Sequence, residues 1–392
     1  MISKKEMNPH ESSPVSGSTC LQKRSGMRPL WPAMAVFRRR ENLRFDLSQR
    51  AAGLMACALL CSAPAFAQGL ITSFDVPGSL FTLPTSINAL ETITGSYIGT
   101  DFKFHGFVRD AQGSFTTFDP PPPGESPIPD SINESGAITG DYVVCSCVGR
   151  GCCEIHGFVR DPQGSFTAVD VPGGFATSPR SINERGDITG FYFDGNGSAH
   201  GFMRHAQGAF TLFEFPGSVD TVIGTITPAG GDRSLNAAGA LTGFYFDGDF
   251  KSHGFVRNTQ GAFTSFDAPD SVRDIRPTGI NAGGDITGWY GTEDVTAHGF
   301  VRNRQGAITT FDPPGSTATS TKSINAAGDI IGFYADADSM GHGFVRDAGG
   351  AITTFDPPGS VYTEPASINA AGVITGFYYD EGFALHGFVR QP

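Results

Sequence analysis

Short runs of apolar and β-branched residues alternate with turn residues along most of the chain, and the same order of runs recurs seven times. In one copy the runs are the segment ending in Ser323–Asn325, followed by Asp329–Tyr334, His342–Arg346 and Ala351–Asp356. Runs of this length and composition, bounded by Gly, Pro, Asn and Asp, are typical of β-strands. The pattern therefore predicts four strands in each copy, called here strands A, B, C and D.

Equivalent asparagines at the end of strand A define repeats 1 to 7. Successive asparagines lie 45, 50, 53, 45, 44 and 44 residues apart. A period of this size indicates a propeller, a solenoid or another repeat array, and four short strands fit the blade of a propeller. The seven anchors are Asn88, Asn133, Asn183, Asn236, Asn281, Asn325 and Asn369.

Two of the connections carry the signature of a tight hairpin. The A–B junction reads Asn-x-x-Gly in repeats 2 to 7, with Glu91 replacing glycine in repeat 1, and the C–D junction reads Asp/Asn-x-x-Gly in most repeats. These residues suit a type I turn closed by a residue with positive φ. The B–C and D–A connections vary and are predicted to be surface loops. The long D–A connection Phe215–Arg233 is either a contact loop or a tolerated insertion.

The two ends of the repeat region complement each other. A lone D-type strand, Ile71–Asp75, precedes the first repeat, and the last repeat stops after strand C at Arg390. Supplying the missing strand from the N-terminal side would join the first and last blades and remove an open edge. We therefore predict an all-β fold, a seven-bladed β-propeller of four-stranded antiparallel blades closed by that strand. A parallel β-solenoid is the alternative.

Residues 1–67 lie outside the repeats and read as a secretory signal. A basic segment precedes the apolar run Ala51–Cys61, and small residues follow as far as Ala67. This order predicts cleavage after Ala67 and export to the periplasm or the medium. The mature domain, 68–392, is then expected to contain no membrane span.

Charge narrows the choice of partners. Residues 1–67 carry ten Lys/Arg and four Asp/Glu, so their removal changes the net charge from −12 to −18. A surface this acidic is poorly suited to nucleic acids or anionic membranes, and it also keeps an exported protein soluble. We therefore expect a monomer whose partner is a glycan or an extracellular or envelope protein, with no nucleic acid.

Four cysteines lie together in the B–C connection of repeat 2. An even number of cysteines in an exported protein predicts disulfides. A bond between the neighbours Cys152 and Cys153 would be strained, so nested pairs that join them to Cys145 and Cys147 are favoured. A zinc site is the alternative, but the spacing C-x-C-x4-C-C matches no standard zinc motif.

Each repeat also carries His-Gly-Phe at the start of strand C and an arginine at its end. A catalytic site needs different residues that converge on one point, so one residue type repeated in every copy indicates a structural role. We expect each histidine to bond to a neighbouring turn or backbone, and each arginine to pair with the acid that ends strand D. The histidines are His105, His156, His200, His253, His298, His342 and His386.

The B–C loops are acidic and variable, which makes them the candidate binding surface. Asp194-Gly-Asn196-Gly-Ser198 and Asp247-Gly-Asp249 alternate oxygen ligands, so calcium is a candidate, although the bidentate Glu of an EF-hand loop is missing. Nearby aromatic side chains could stack on sugars or cap the blade cores. No other metal or cofactor is predicted. The candidate binding residues are Asp101, Asp194, Asn196, Asp247, Asp249, Phe250, Glu293, Asp294, Asp336, Asp338, Asp380 and Glu381.

The phrase Ser-Ile-Asn-x-x-Gly-x-Ile-Thr-Gly-x-Tyr, followed by His-Gly-Phe-Val-Arg, resembles the HAF family of bacterial extracellular repeats. The resemblance covers Thr85–Pro392 and implies export and a propeller-like fold, with no activity attached. We therefore expect a secreted, non-enzymatic binding or scaffold propeller. The alternative is a secreted lyase or glycoside hydrolase that acts in the central funnel, which would need acids and bases that break the seven-fold pattern there.

Overall fold

The computed structural model describes residues 69–145, 153–224, 233–272, 274–294 and 296–392. The regular secondary structure in that part of the chain consists entirely of β-strands. The predicted signal segment, 1–67, lies outside the described residues. None of the described residues forms a helix that could cross a membrane.

The strands follow the predicted order A, B, C, D in every repeat. A D-type strand, β1 (Ile71–Phe74), comes first. Strand A is β2 (Phe81–Ile87), β6 (Gly124–Ile132), β10 (Ala176–Ile182), β14 (Asp220–Val222), β18 (Ile275–Ile280), β22 (Ala318–Ile324) and β26 (Ser360–Ile368). Strand B is β3 (Ile93–Ile98), β7 (Ile138–Cys145), β11 (Ile188–Phe193), β15 (Leu241–Phe246), β19 (Ile286–Gly291), β23 (Ile330–Ala335) and β27 (Ile374–Asp380). Strand C is β4 (Phe104–Arg109), β8 (Cys153–Arg160), β12 (Ala199–Arg204), β16 (Ser252–Arg257), β20 (Ala297–Arg302), β24 (Gly341–Arg346) and β28 (Leu385–Arg390). Strand D is β5 (Phe115–Phe118), β9 (Phe166–Ala168), β13 (Phe210–Phe213), β17 (Phe263–Phe266), β21 (Ile308–Phe311) and β25 (Ile352–Phe355).

The strands of each repeat form one antiparallel sheet. Repeats 1 to 5 each give a four-stranded sheet in the order A-B-C-D. Repeat 7 contributes three strands, and β1 pairs antiparallel with β28 at its open side, from Ile71 opposite Arg390 to Phe74 opposite Gly387. A single parallel bridge between Gly341 and Tyr362 links the sheets of repeats 6 and 7.

Strand A lies at the edge of its sheet, and its sequence fits that place. Proline cannot donate a hydrogen bond to a neighbouring strand, so it is tolerated at an edge or a bulge. Pro84, Pro129, Pro179, Pro277 and Pro365 all occupy strand A, and the register shifts just after each of them.

The core lies between consecutive sheets. In most repeats the arginine that ends strand C reaches the preceding sheet, where it lies over the phenylalanine that ends strand D: Arg109 is 4.8 Å from the Phe74 ring centroid and Arg257 is 4.8 Å from that of Phe213. The predicted pairing of these arginines with the strand-D acids is therefore wrong, because a cation–π contact takes its place. Arg204 of repeat 3 is the exception, because Val169 replaces phenylalanine at the end of strand D in repeat 2.

The insertion Phe215–Arg233 does not lengthen the D–A connection as predicted. β14 already pairs with β15 from Asp220 to Val222, and Leu235 bridges Leu241 on the same strand. The extra residues therefore interrupt strand A of repeat 4. The turn that leads into β14 is short, and residues 225–232 within the insertion lie outside the described part of the chain.

The anchor asparagines join consecutive repeats. The Asn88 side-chain amide donates to the carbonyl oxygen of Asn133 at 3.1 Å, and the Asn133 amide donates to that of Asn183 at 3.1 Å. The same bond leads from Asn183 to Asn236, from Asn236 to Asn281 and from Asn325 to Asn369. The Asn369 amide donates back to Asn88 at 3.1 Å. These bonds place the A–B turns of consecutive repeats side by side.

Candidate binding face

The opposite ends of the sheets carry the B–C turns and the D–A connections, and together they are called here the B–C face. The Leu80 N–H, at the end of a D–A connection, donates to the Ile98 carbonyl at 2.7 Å. Since Ile98 comes just before a B–C turn, the two kinds of segment are neighbours. Since the asparagine bonds align the A–B turns, the B–C ends of the sheets lie on the other side.

Most B–C connections are tight turns rather than the loops predicted from the sequence. In repeat 3 the Asp194 N–H donates to the Ser198 carbonyl, and the Gly197 N–H donates to the Asp194 carbonyl, both at 3.0 Å. The Asp194 side chain accepts the N–H groups of Asn196 and Ser198, at 2.8 and 2.9 Å. An aspartate thus does here what asparagine does in the A–B turn.

Six of the seven histidines at the start of strand C lie between two acids, and His298 lies between Asp312 and the Thr296 hydroxyl. His342 Nδ1 contacts Asp356, which follows strand D, at 2.7 Å, and Nε2 contacts Asp336 of the B–C turn at 3.3 Å. The ring also faces Tyr334 on strand B, with centroids 5.2 Å apart. The prediction of a repeated structural role agrees with this geometry, but the partners are carboxylates rather than the turn or backbone groups expected.

The carboxylates alter the ionisation of the histidines and of the turn acids. Burial lowers the pKa of His342, but its hydrogen bonds to Asp356 and Asp336 outweigh burial, so the pKa lies above the usual value. The same balance raises the pKa of His105 and of His386. Backbone hydrogen bonds, chiefly from Ser198, lower the pKa of Asp194 to about 2.

The turn acids do not converge on a metal. Asp247 accepts the N–H groups of Asp249 and Lys251, each at 2.9 Å, and also contacts His253 at 3.1 Å. Its oxygens are thus occupied within one turn. The described residues contain no group of three or more His, Cys, Asp or Glu side chains that could hold a metal ion.

The remaining predicted residues fall into separate turns. Asp101 accepts the N–H of Lys103 at 3.1 Å, Asp294 accepts the hydroxyl of Thr292 at 2.6 Å, and Asp380 accepts the N–H of Ala384 at 2.8 Å. The structure therefore spreads the predicted set around the repeats instead of gathering it at one point. The turn-tip residues are Asn196, Asp249, Glu293, Asp338 and Glu381.

Three phenylalanines at the tips of B–C turns are the most unusual feature of this face. Phe102, Phe250 and Phe383 have φ values of 61°, 59° and 60°, a left-handed conformation that favours glycine. Their side chains are 80%, 70% and 66% exposed. Gly197 occupies the same turn position in repeat 3, and Ser339 does so in repeat 6.

Sequence reasoning selected Phe250 but missed Phe102, and Phe383 entered it only among the aromatic side chains near the B–C loops that could stack on sugars or cap the blade cores. The missed signal was available: aligned on the B–C turns, these phenylalanines occupy the column that holds Gly197. A large exposed side chain at a position suited to glycine makes these phenylalanines candidates for a functional role.

The cysteine prediction is confirmed in part. Cys145 and Cys153 form a disulfide at the end of the hairpin β7–β8, in agreement with the favoured nested arrangement. Its second pair, Cys147 and Cys152, lies outside the described residues.

Strand A also holds charged residues that break the repeat. Arg180 donates to Asp130 at 3.1 Å, and Lys322 lies 2.7 Å from Glu364. Each pair joins strand A of one repeat to strand A of the next. Ser178 donates to Asp141 at 2.6 Å, and burial raises the pKa of that carboxyl. All of these groups are buried or nearly so, which favours a structural role.

Comparison with known proteins supports the fold alone. No protein family description and no curated protein matches the chain. The structure is similar to a catalytically inactive virginiamycin B lyase from Staphylococcus aureus with quinupristin, at a TM-score of 0.54 and 16% identity, covering 82% of this chain and 99% of that one. It is also similar to the β-propeller domain of the Trilobed protease from Pyrococcus furiosus, at a TM-score of 0.51 and 8% identity, covering 79% and 95%. The chain therefore has a β-propeller fold.

Proposed function

We propose that this chain is an exported repeat protein of the HAF type, a closed seven-bladed propeller that binds an extracellular glycan or envelope protein. Two contacts support the closure: β1 completes the sheet of repeat 7, and Asn369 bonds back to Asn88. The disulfide between Cys145 and Cys153 supports export, because such bonds persist in oxidising compartments.

The binding site in this proposal is the B–C face. The observation that carries it is the exposure of Phe102, Phe250 and Phe383 in left-handed turns. A bulky side chain in this conformation costs on the order of 1 kcal/mol relative to glycine. Exposure also forgoes the free energy gained by burying an aromatic ring. Both costs are explained if the rings contact a ligand.

The test replaces these phenylalanines by glycine. The variant Phe102→Gly/Phe250→Gly/Phe383→Gly relieves three left-handed positions, so we expect stability equal to or above that of the parent. It removes the aromatic contacts, so binding should fall. We would measure urea unfolding, together with retention on a panel of insoluble polysaccharides and immobilised envelope proteins, with calcium and with chelator.

The matched control is Ser339→Gly, which changes the same turn position in repeat 6 without removing an aromatic ring. We expect the control to gain stability and to keep full binding. If the parent protein binds a component of the panel and the triple variant binds it equally well, the B–C face is not the binding site. A parent that binds nothing on the panel counts against the binding function itself.

A second candidate, a lyase or glycoside hydrolase that acts in the central funnel, has one observation in its favour. Asp130, Arg180, Lys322 and Glu364 break the seven-fold pattern on strand A, as such an enzyme would require. Their mutual pairing and burial favour the binding function. Release of new reducing or unsaturated ends from any bound polysaccharide, abolished by Glu364→Gln, would favour the enzyme.

A further inference from the structure

Exposed apolar side chains on the B–C face concentrate in repeat 1. Leu80 and Phe104 are each 41% exposed, Phe81 is 37% exposed and Phe102 is 80% exposed. They surround one turn, because Phe81 and Phe104 both pair with Ile98 and the Leu80 N–H donates to the Ile98 carbonyl. These four side chains are called here the repeat-1 patch. An exposed cluster of this kind is typical of an interaction site.

The corresponding turn in repeat 4 lacks such a cluster. It has the same tip, with Phe250 in the same conformation and nearly as exposed as Phe102. However, the position of Phe104 is taken by the fully buried Ser252 and that of Phe81 by Asp220. Val219, 40% exposed at the position of Leu80, is then the one aliphatic side chain beside this ring that matches the patch. Repeat 4 thus presents a single ring where repeat 1 presents a surface.

Repeat 7 extends the patch across the joint between the two ends of the repeat region. Strand A of repeat 1, β2, contacts β27 and β28 of repeat 7. The turn between β27 and β28 carries the exposed Phe383. Two exposed aromatic tips, Phe102 and Phe383, therefore lie on neighbouring repeats, an arrangement suited to separate units of one extended polymer.

Carboxylates surround these rings. His105 contacts Asp119 at 2.8 Å and Asp101 at 3.3 Å, and His386 contacts Asp75 and Asp380 in the same way. Because two carboxylates lie beside each histidine, protonation of the histidine still leaves each group negative. Lys103 is the single nearby cation among the B–C turns of these two repeats in the described chain. The surface therefore repels anionic polymers and attracts cationic ones.

We propose that the repeat-1 patch, extended by Phe383, binds a polymer of amino sugars. The apolar faces of the sugar rings stack on Phe102 and Phe383, and the ammonium groups pair with Asp101 and its neighbouring acids. This inference rests on the proposed function, since it assigns the ligand class of the B–C face.

The experiment measures the binding of three oligomers of equal length to the domain in low-salt buffer at about pH 6. The probes are deacetylated chitosan, its N-acetylated counterpart and alginate. We expect the affinity to decrease in that order. Added salt should weaken binding of the deacetylated oligomer, leave the uncharged N-acetylated oligomer unchanged and reduce the repulsion of alginate. Phe102→Gly should weaken both amino-sugar probes about tenfold, the effect expected for one lost aromatic contact.

Matched variants separate stacking from charge. Ser339→Gly changes the same turn position in repeat 6 without removing a ring, so its affinities should stay within about twofold of the parent. Phe250→Gly removes an equally strained phenylalanine of the binding face that lies outside the patch, so it should weaken binding less than Phe102→Gly does. Asp101→Asn keeps the acceptor for Lys103 and removes one charge, so it should weaken the deacetylated probe alone. Asp110→Asn keeps the acceptor for the Ser114 N–H and removes one charge from the C–D turn of the same repeat, at the opposite end of the sheet, so it should have no effect.

Several results would overturn the proposal. Tighter binding of alginate would contradict the charge argument, and equal losses in Phe102→Gly and Phe250→Gly would contradict the patch. Competition by poly-lysine together with full binding by Phe102→Gly would show charge attraction without sugar recognition. If no oligomer binds while the triple phenylalanine variant still loses a partner from the wider panel, the amino-sugar assignment fails and the binding face remains.

Discussion

The asparagine bonds between repeats allow a quantitative test with one isosteric change, Asn133→Asp. The Asn133 side chain is buried, accepts the Ala137 N–H at 2.9 Å within its own turn and donates to the Asn183 carbonyl at 3.1 Å. Aspartate keeps the acceptor and the volume. It loses the donor and sets a carboxylate against the carbonyl oxygen of the next repeat.

The cost follows from these contacts. Loss of the hydrogen bond contributes about 1 kcal/mol. The Asn183 carbonyl keeps the Gly186 N–H at 3.0 Å, but a buried carboxylate facing that carbonyl oxygen costs about 1–3 kcal/mol more. We therefore expect Asn133→Asp to lower the free energy of unfolding by about 2–4 kcal/mol, a large share of the 5–15 kcal/mol typical of a domain. The deficit should shrink in acid, where the protonated carboxyl can again donate.

The control is the same substitution in a C–D turn. Asn258 accepts the N–H groups of Gln260 and Ala262 at 3.0 and 2.8 Å within an exposed turn. Its counterparts in other repeats include Asp110 and Asp347, so Asn258→Asp should cost less than about 0.5 kcal/mol. Urea unfolding followed by the fluorescence of Trp289 measures both variants. Equal costs within error would refute the role assigned to the asparagine bonds.

Three further predictions concern the frame around the binding face. A Cβ atom on Gly190 would collide with the Ser178 carbonyl oxygen, whereas one on Gly195 meets nothing within 4 Å. Gly190→Ala should therefore lower the free energy of unfolding by more than about 3 kcal/mol, and Gly195→Ala should leave it almost unchanged. Urea midpoints measure both variants. Because the pKa of His342 is raised in the folded protein, protonation of this side chain stabilises the fold at pH values below its pKa in the unfolded chain. That stabilisation is lost as the pH rises through the pKa in the folded protein. The urea midpoint should therefore fall between about pH 6 and 8, with a shallower slope in His342→Gln. Deleting residues 69–75 removes β1 and exposes the edge of β28, so light scattering should show self-association. A deletion variant that stays monomeric with parental stability would contradict the proposal that β1 closes the propeller.

Local sequence signals predicted the strands and hairpins well because each depends on a few adjacent residues. The four-strand order and the pairing of the lone N-terminal strand with the last repeat were both predicted, and the structure contains them. The insertion was misplaced because strand A offers the weakest pattern: among the described residues of repeat 4, Asp220–Val222 pair with strand B and Leu235 forms a single bridge to it. Nothing in such a short run distinguishes an interrupted strand from a long connection.

Contacts between repeats were harder to predict because they join residues about 44–53 positions apart. Asparagine was recognised as a turn residue, but its second role, donating to the next repeat, depends on packing. A comparison of turns within the chain held the clue: the A–B turns use only asparagine at this position, whereas the C–D turns also accept Asp110, Asp161, Asp347 and His205. A turn that needs only an acceptor tolerates aspartate, and a turn that must also donate does not.

The asparagine bonds also bear on how such a chain can change in length. Five of the seven anchors use the side chain toward one neighbour and the main-chain carbonyl toward the other, so such a repeat carries both halves of a joint. A duplicated repeat would arrive with compatible connections on both sides, and a deleted one would leave its former neighbours able to join. Growth and loss of whole repeats would then need no compensating change at the joints, while the tips of the B–C turns remain free to diversify one repeat at a time.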